Sequence, residues 1–303
     1  SVPVEWVWEN GPHMDPRFYS IADLSPTGRI VSIIQAVYTF KTGQAGTTSR
    51  WIRSLNTGDI ARAMFSKTDF HLPESDDSPL LLIAAGSGIA PFRSFWTSTA
   101  KNPMHLFFGC RDQSELPFSC EIAQREKQGR IYPFVAYSRD AEKSMHVEEM
   151  MRQESDVIMN LLHNPKLIVY ICGQPAMELS VRKAMISMLA EGNNKYPGLG
   201  MVRAVEKMVI MKYTNRLLTQ VYGNLQNQND PSIICWNERT AKVVRVLSGL
   251  ERIGVPRSRK KVILVNRRKR SICRRAHRGS IVKVATDGDN WGESFHSVKK
   301  LSA

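Results

Sequence analysis

One stretch of the chain decides its fold: residues 80–96 read LLLIAAGSGIAPFRSFW. The first six residues, Leu80–Ala85, are apolar without a break, which is typical of a strand buried on both faces of a parallel sheet. Two glycines and a proline follow, and Pro91 is suited to the first turn of a helix. The stretch therefore predicts a strand, a tight turn and a helix in succession, as in a βαβ unit.

The same succession repeats over residues 80–193. Apolar runs typical of buried strands come at residues 80–85, 104–109, 132–137 and 167–172. Segments with helical spacing lie between and after these runs, at residues 92–99, 122–128, 147–162 and 177–189. Alternation of strands and helices at this spacing predicts an α/β fold with a doubly wound parallel sheet.

Residues 17–73 predict a different architecture. Strands are expected at residues 17–21, 31–40 and 61–70, and a short helix at 48–55. Because three strands alone are marginally stable, we expect a partial antiparallel β-barrel whose other strands precede residue 1. The chain begins with Ser1 and shows no signal peptide, so we expect a piece of a longer protein or a processed product.

Length and composition set further bounds. A chain of 303 residues has room for two ordinary domains, and its 42% hydrophobic share excludes disorder of the whole chain. No apolar run reaches the roughly 18 residues that a transmembrane helix needs, so no membrane contact is expected. The five cysteines are widely spaced, which argues against a disulfide framework or a zinc site and favours a reducing, cytoplasmic location.

The positive charge is concentrated near the end of the chain. The net charge is +14, and residues 251–303 contain fifteen Lys or Arg against four Asp or Glu. Residues 257–278 are a candidate nucleic-acid binder, but no aromatic residues alternate with the charges, so we favour a solvated tail. The predicted division is 1–79 for the partial barrel, 80–223 for the parallel-sheet domain and 224–303 for a basic tail of unassigned fold.

Gly86, Ser87 and Gly88 form a candidate phosphate-binding loop. Glycine lets the backbone come close to a ligand, and the helix that begins at Pro91 offers free N–H groups to a pyrophosphate. A tight turn without a ligand is the alternative. Pro91 stands where the G-x-G-x-x-G fingerprint has its third glycine, so the loop is not that fingerprint.

Four other short motifs carry polar or aromatic groups. If residues 17–20 are a strand, Arg17 and Tyr19 lie on one face and Ser20 on the other. This arrangement suits a flat aromatic cofactor with a diphosphate, and the alternative is a plain strand with a surface Arg. Residues 46–49 offer hydroxyls at a helix start, either as a cap or as a phosphate cradle. Residues 138–139 are a candidate site for a ribose 2′-phosphate or a solvated loop, and Cys172 either faces a nicotinamide or packs in the core.

In order and spacing these motifs resemble a known family. FHLP at residues 70–73, GSGIAPFRSFW at 86–96, FFGCR at 107–111, AYSR at 136–139 and VYICG at 169–173 are similar to the FAD/NADPH reductase lobe of diflavin reductases. That group includes cytochrome P450 reductase, sulfite reductase flavoprotein and nitric oxide synthase. FHLP and GIAPFRSFW resemble nitric oxide synthase most, and the resemblance covers about residues 5–223.

The resemblance implies a role for each motif. FAD would be held by the residues Arg17, Tyr19, Ser20, Ala36, Tyr38, Gly46, Thr47, Thr48 and Ser49. NADPH would be held by the residues Gly86, Ser87, Gly88, Cys110, Arg111, Ser138, Arg139 and Lys143. Tyr222 would stack on the flavin and move aside for nicotinamide, and Ser20, Cys172 and Tyr222 would be the catalytic residues, with no metal.

The resemblance also implies a reaction and partners. Hydride would pass from NADPH to FAD, and electrons would pass to an FMN domain, as in a nitric oxide synthase-like enzyme. A P450 reductase or sulfite reductase type of flavoprotein, or a truncated module without turnover, are the alternatives. FMN and haem are expected only in domains that this chain lacks, and a haem domain and calmodulin are possible partners of a full-length parent.

Two residues depart from the family pattern. Glu148 stands where the family has Gln, and its negative charge should weaken binding of a 2′-phosphate. Gln220 stands where the family has an acid that completes a trio with Ser and Cys, so Ser20 and Cys172 are expected to act without that carboxylate.

Overall fold

The computed structural model describes residues 16–37, 39–40, 42–140, 142, 144–222, 280–286 and 299–302. Within these residues the strands form two five-stranded sheets, one antiparallel and one parallel. Tyr38, Lys143 and the basic stretch 257–278, for which the sequence analysis made predictions, lie outside the described residues.

The antiparallel sheet combines strands from both ends of the chain. Its strands from the start of the chain are β1 (Ile21–Leu24), β2 (Ile30–Ile33) and β3 (Ile60–Ala63). Helix α1 (Thr47–Ser54) lies between β2 and β3 in the sequence. The two tail strands, Ser280–Thr286 and Lys299–Ser302, lie between β2 and β3 in the sheet. The sequence analysis left the tail unassigned and missed both.

The parallel sheet is the predicted doubly wound sheet. Its strands are β4 (Leu80–Ala85), β5 (Met104–Cys110), β6 (Ile131–Tyr137), β7 (Ile168–Gly173) and β8 (Leu217–Val221). The two tail strands, which belong to the antiparallel sheet, are numbered β9 (Ser280–Thr286) and β10 (Lys299–Ser302). The helices of the parallel sheet are α2 (Ala90–Thr97), α3 (Ser119–Lys127), α4 (Val147–Gln153), α5 (Ser155–His163), α6 (Pro175–Glu191) and α7 (Met201–Tyr213). The strand order is β6-β5-β4-β7-β8, so the chain reverses direction across the sheet between β4 and β7.

Helices cover both faces of this sheet because its strands are apolar on both faces. Leu81 and Ile83 of β4 pack with α4, α5, α6 and α7, and Leu80 and Leu82 pack with α2 and α3 on the other face. All four side chains are fully buried. An unbroken apolar run is therefore what a central parallel strand requires.

The strands predicted at 31–40 and 61–70 were too long, and the strand predicted at 17–21 lies instead at Ile21–Leu24. Residues 17–20 are not strand, because β2 ends at Ile33, which pairs with Ile21, and no strand among the described residues lies beside residues 17–20. The predicted strand alternation of Arg17 and Tyr19 is therefore wrong, and Ala36 lies beyond the end of β2. Strand β3 likewise ends at Ala63, where its pairing with β9 ends.

Two differences concern the helices. The predicted helix at 147–162 is divided at Glu154, whose ψ of 36° ends α4 and starts α5. Helix α7 was missed, although Ala204, Val205, Met208 and Met211 have helical spacing and are buried. Among the described residues no helix combines the length and the hydropathy needed to cross a bilayer.

Candidate cofactor-binding site

The carboxyl ends of four parallel strands bring the predicted nucleotide motifs to one edge of the sheet. Gly86 follows β4, Arg111 follows β5, Ser138 follows β6, and Gly173 ends β7. Open α/β sheets bind ligands at this edge, next to the point where the strand order reverses. Here that point lies between β4 and β7.

The glycine loop fits a phosphate group and also meets a packing need. Residues Gly86–Ile89 form one 3-10 turn that leads into α2 without a side-chain cap. Gly86 has a φ of 58°, and no atom lies within 4 Å of the position where its Cβ would be. A Cβ on Gly88 would lie 2.2 Å from the carbonyl oxygen of Cys172. Gly86 therefore leaves open space beside the backbone, and Gly88 allows the loop to touch β7.

Two arginines lie side by side where β5 and β6 end. The Arg139 N–H donates to the Arg111 carbonyl oxygen at 2.7 Å, and the Ser138 N–H donates to the Cys110 carbonyl oxygen at 2.9 Å. These bonds continue the sheet ladder past the strand ends, and both arginine side chains are exposed. Guanidinium groups bind phosphate through paired donors, so the pair fits a 2′-phosphate.

Acidic groups share this edge. Arg111 forms an ion pair with Glu115, with 3.4 Å between Nη1 and Oε1. A hydrogen bond from the Ser114 hydroxyl, and to a lesser extent the charge of Arg139, hold the pKa of Asp112 below its usual value. Glu148 is half-buried in the first turn of α4. The local positive charge is thus partly balanced before any ligand binds.

The three predicted catalytic residues meet at the end of β7. The Tyr222 hydroxyl lies within hydrogen-bonding distance of Ser20 Oγ and 3.3 Å from Cys172 Sγ. Burial raises the pKa of Cys172 to about 12 and also raises the pKa of Tyr222. The thiol and the phenol therefore keep their protons at neutral pH.

Gln220, which stands where the family pattern has an acid, lies beside Cys172 in the parallel sheet. Strands β7 and β8 pair Cys172 with Gln220 directly, as predicted. Among the described residues, however, Ser20 and Cys172 have their hydrogen bonds to the hydroxyl of Tyr222, not to the Gln220 amide. The sequence analysis considered only the ring of Tyr222, because a contact across 202 positions leaves no local signal.

The predicted flavin residues lie on the antiparallel side. Helix α1 begins after Gly46 without a side-chain cap, and Ser49 in its first turn is buried. Arg17, Ala36 and Thr47 are exposed, and Thr48 is half-buried. Burial raises the pKa of the half-buried Tyr19. The first turn of α1 has no side-chain cap, so it fits a phosphate group. The half-buried Tyr19 and Thr48 fit an aromatic cofactor that carries such phosphates.

An ion-pair cluster that the sequence analysis missed joins the two sides. Arg93 of α2 binds Glu121 of α3 with two donors, at 2.6 and 3.0 Å, and approaches Asp23 of β1 at 3.4 Å. The indole N–H of Trp96 donates to the same Glu121 carboxylate at 3.2 Å, and the Phe118 ring centroid lies 4.8 Å from the guanidinium. Arg93 therefore ties the helix after the glycine loop to the strand after Ser20.

In the part of the chain that the structure describes, no group of three or more His, Cys, Asp or Glu is placed to hold a metal ion. The free thiols of Cys110 and Cys172 are buried, and that of Cys120 is exposed.

Comparison with known proteins places the fold in a class. A family model described as an oxidoreductase NAD-binding domain matches residues 82–183. The chain is 29% identical to NADPH–cytochrome P450 reductase of Drosophila melanogaster over 211 residues. The aligned region covers 63% of this chain and 31% of that protein. It is 30% identical over 204 residues to NADPH-dependent diflavin oxidoreductase 1 of Debaryomyces hansenii, which covers 62% of this chain and 33% of that protein.

A third relative is human inducible nitric oxide synthase, 30% identical over 201 residues that cover 59% of this chain and 17% of that enzyme. The chain thus spans a third or less of the length of these relatives. Since P450 reductase and nitric oxide synthase match about equally well, the matches do not separate the two types.

The parallel sheet, its glycine loop and the family match define the NAD-binding domain of an oxidoreductase. More particularly, the family match and the three relatives support a lobe of the diflavin-reductase type, as the resemblance implied. The same matches support NADPH and FAD, the predicted cofactors.

Proposed function

We propose that the chain is an NADPH-dependent flavoprotein reductase module. The observation that carries this proposal is the meeting of Ser20, Cys172 and Tyr222, which brings the segment before β1 to the carboxyl end of β7. One side of this meeting point has the residues expected for FAD and the other has those expected for NADPH. When bound, the two cofactors supply hydride transfer.

The chain's own residues would bind and orient the dinucleotide. The backbone of Gly86 to Gly88, in the 3-10 turn that leads into α2, would take the pyrophosphate, because the positive end of the helix dipole favours anions there. Ser138, Arg139 and Arg111 would hold the 2′-phosphate, with Cys110 beside the nucleotide. Lys143 is proposed for the same phosphate.

FAD would lie on the antiparallel side. Tyr19 would contact the flavin ring, with Ala36 and Tyr38 alongside it, and Arg17 would pair with the diphosphate. The first turn of α1 would hold the phosphates through the residues Gly46, Thr47, Thr48 and Ser49. On this proposal residues 1–79 belong to the flavin domain, 80–223 to the NADP domain and 224–303 to a basic tail, whose strands β9 and β10 complete the sheet of the flavin domain.

The finer proposal is a nitric oxide synthase-like parent. It is supported by the FHLP motif, whose Phe70 packs against Phe92 and Phe95 of the GIAPFRSFW string and whose His71 carbonyl accepts a hydrogen bond from Tyr170 at 2.6 Å. Electrons would then leave for an FMN domain, with a haem domain and calmodulin as partners of the full-length protein in the cytoplasm. A P450 reductase or sulfite reductase type, or a module without turnover, are the alternatives.

Two measurements on the purified full chain test the proposal. A saturable calorimetric titration with 2′,5′-ADP is expected, because this ligand contains the 2′-phosphate that the arginines would bind. Flavin absorption bands that bleach on addition of NADPH are expected once FAD has been supplied. Absence of 2′,5′-ADP binding would overturn the nucleotide assignment, and binding without any flavin bleaching would support the module without turnover.

A further inference from the structure

A cavity of about 260 Å³ lies away from the proposed cofactor site, where α4 gives way to α5 and where α6 ends. Its walls include the side chains of Arg152, Ser155, Met159, Ser187, Met188 and Glu191. Helix α6 starts just after β7 and runs for 17 residues, which is about 25 Å at roughly 1.5 Å per residue. The cavity is therefore separate from the carboxyl edge of the parallel sheet.

The positive wall of the cavity is at the point where the helix predicted at 147–162 divides. Arg152 is in the last turn of α4, and α5 begins at Ser155 without a side-chain cap. The guanidinium and the positive end of the α5 dipole lie on this wall. Asp156 is in the same turn of α5 but does not line the cavity, and its carboxylate accepts a hydrogen bond from the Asn193 amide at 2.8 Å.

The negative wall is the end of α6. Glu191 is the last residue of this helix, and the Gly192 N–H closes the helix by donating to the Met188 carbonyl oxygen at 2.8 Å. A carboxylate at the negative end of a helix dipole is unfavourable unless a cation is close to it. Glu191 therefore favours a positively charged group in the cavity.

The two charges that face the cavity do not neutralise each other. Among the residues that the structure describes, neither Arg152 nor Glu191 takes part in an ion pair, with the other or with a third side chain. Both side chains are exposed, so they are available to a ligand. The cavity thus offers a cation at one wall and an anion at another.

The remaining surface of the cavity is apolar or carries hydroxyl groups. Met159 and Met188 are buried, at 1% and 8% exposure. Methionine side chains are flexible and polarizable, so they adapt to apolar groups of different shape. The hydroxyls of Ser155 and Ser187 can each donate or accept a hydrogen bond. A ligand that fits has both charges and a short apolar chain.

We propose that this cavity binds a free α-amino acid with a small apolar side chain. The carboxylate binds Arg152 and Ser155, and the ammonium group binds Glu191. The side chain packs on Met159 and Met188. A plain anion or a plain cation would leave one of the two walls without a partner. The volume is below the roughly 300–1,000 Å³ typical of pockets for drug-sized ligands, which suits a molecule as small as an amino acid.

L-Leucine is the probe, and the full chain with ¹³C-labelled methionine methyl groups is the target. We expect saturable binding at millimolar concentration, seen by NMR as shifts of the Met159 and Met188 methyl signals. The variants Met159→Leu and Met188→Leu assign these two signals. The methyl signal of the exposed Met64, on the antiparallel side, should stay in place.

Two analogues of leucine test the need for both charges. Isocaproate keeps the side chain and the carboxylate, and isoamylamine keeps the side chain and the ammonium group. Each should bind about tenfold more weakly than leucine, because each loses one charge-assisted contact. An analogue that binds as tightly as leucine would overturn the assignment of a zwitterion.

Two variants test the walls separately. Glu191→Gln should weaken leucine about fivefold or more and leave isocaproate unchanged, whereas Arg152→Gln should weaken both ligands. The matched controls are Glu126→Gln and Arg125→Gln on α3, which packs on the opposite face of the parallel sheet, and they should change neither affinity. Thermal unfolding of the four variants confirms that each is folded.

Absence of leucine binding to the wild type would overturn the proposal. So would losses in the α3 controls as large as those in the cavity variants, or leucine shifts confined to methionines outside the cavity. No cofactor enters these measurements, so their outcome is independent of the proposed reductase function.

Discussion

Arg139 is the residue whose charge should set the choice between the two nicotinamide dinucleotides. A guanidinium offers paired donors to a 2′-phosphate but gains little from a plain 2′-hydroxyl. We expect Arg139→Ala to weaken NADPH binding about tenfold or more and to change NADH binding much less. Calorimetric titration with both dinucleotides measures the difference.

The control for this prediction is Arg203→Ala, which removes an exposed arginine on α7, outside the site, and should alter neither affinity. Equal losses for NADPH and NADH in Arg139→Ala would remove Arg139 from the phosphate site. The side chain of Arg111 would then be the remaining cation described at the ends of β5 and β6.

Among the helices, α2 has a second role besides following the glycine loop. Its Arg93 is bonded to Glu121 of α3 and close to Asp23 of β1, and the Arg93 side chain is only 15% exposed. Because Arg93→Met removes the cation from the Glu121 and Asp23 carboxylates, which are 36% and 35% exposed, we expect it to lower the free energy of unfolding by about 2 kcal/mol. Urea denaturation measures the loss.

A surface ion pair provides the comparison. Lys166 and Asp77 pair with side chains that are 60% and 57% exposed. Exposed ion pairs contribute little to stability because water screens them, so Lys166→Met should cost less than Arg93→Met. Similar losses in the two variants would mean that the Arg93 cluster does not stabilise the packing of α2 against β1 and α3.

At the scale of the whole molecule, stability should fall in alkaline solution. Burial raises the pKa of Cys172 to about 12, whereas a thiol in an unfolded chain has a pKa of about 8.5. The unfolded state therefore loses a proton first as the pH rises, and the native state is destabilised between the two values. We expect this thiol to remove about 1.4 kcal/mol of the free energy of unfolding per pH unit over roughly pH 9 to 11.

Urea denaturation of the wild type, Cys172→Ala and Cys120→Ala at several pH values tests this expectation. Cys172→Ala should flatten the alkaline slope, even though a smaller side chain lowers stability at every pH. Cys120→Ala removes an exposed thiol and should leave the slope as it is. An unchanged slope in Cys172→Ala would show that its thiol ionises in the native protein.

How much of this fold was predictable depended on where each element finds its partners. The parallel strands were predictable because a run such as Leu80–Ala85 is apolar on both faces, whatever lies beside it. Strands β2 and β3 were predicted too long, because their length is set by pairing with β10 and β9, which lie more than two hundred residues further along the chain. Pairing at that distance leaves no local pattern.

The candidate site shows the same division. Gly86, Ser138 and Cys172 were predictable because each directly follows or ends a recognisable strand. The hydroxyl contacts of Tyr222 and the cluster around Arg93 were not, since each joins side chains from separate elements. The type of a residue and its neighbours in sequence do not predict a contact between side chains of distant elements.

The close approach of Gly88 to Cys172 has a consequence for protein engineering. Position 88 admits no side chain without displacing the β7 backbone, and position 86 has a φ of 58°, which strains any L-residue other than glycine. Ser87 between them is under neither restriction. A library intended to alter cofactor preference at this loop should therefore vary position 87 alone and take its remaining diversity from the loops after β5 and β6.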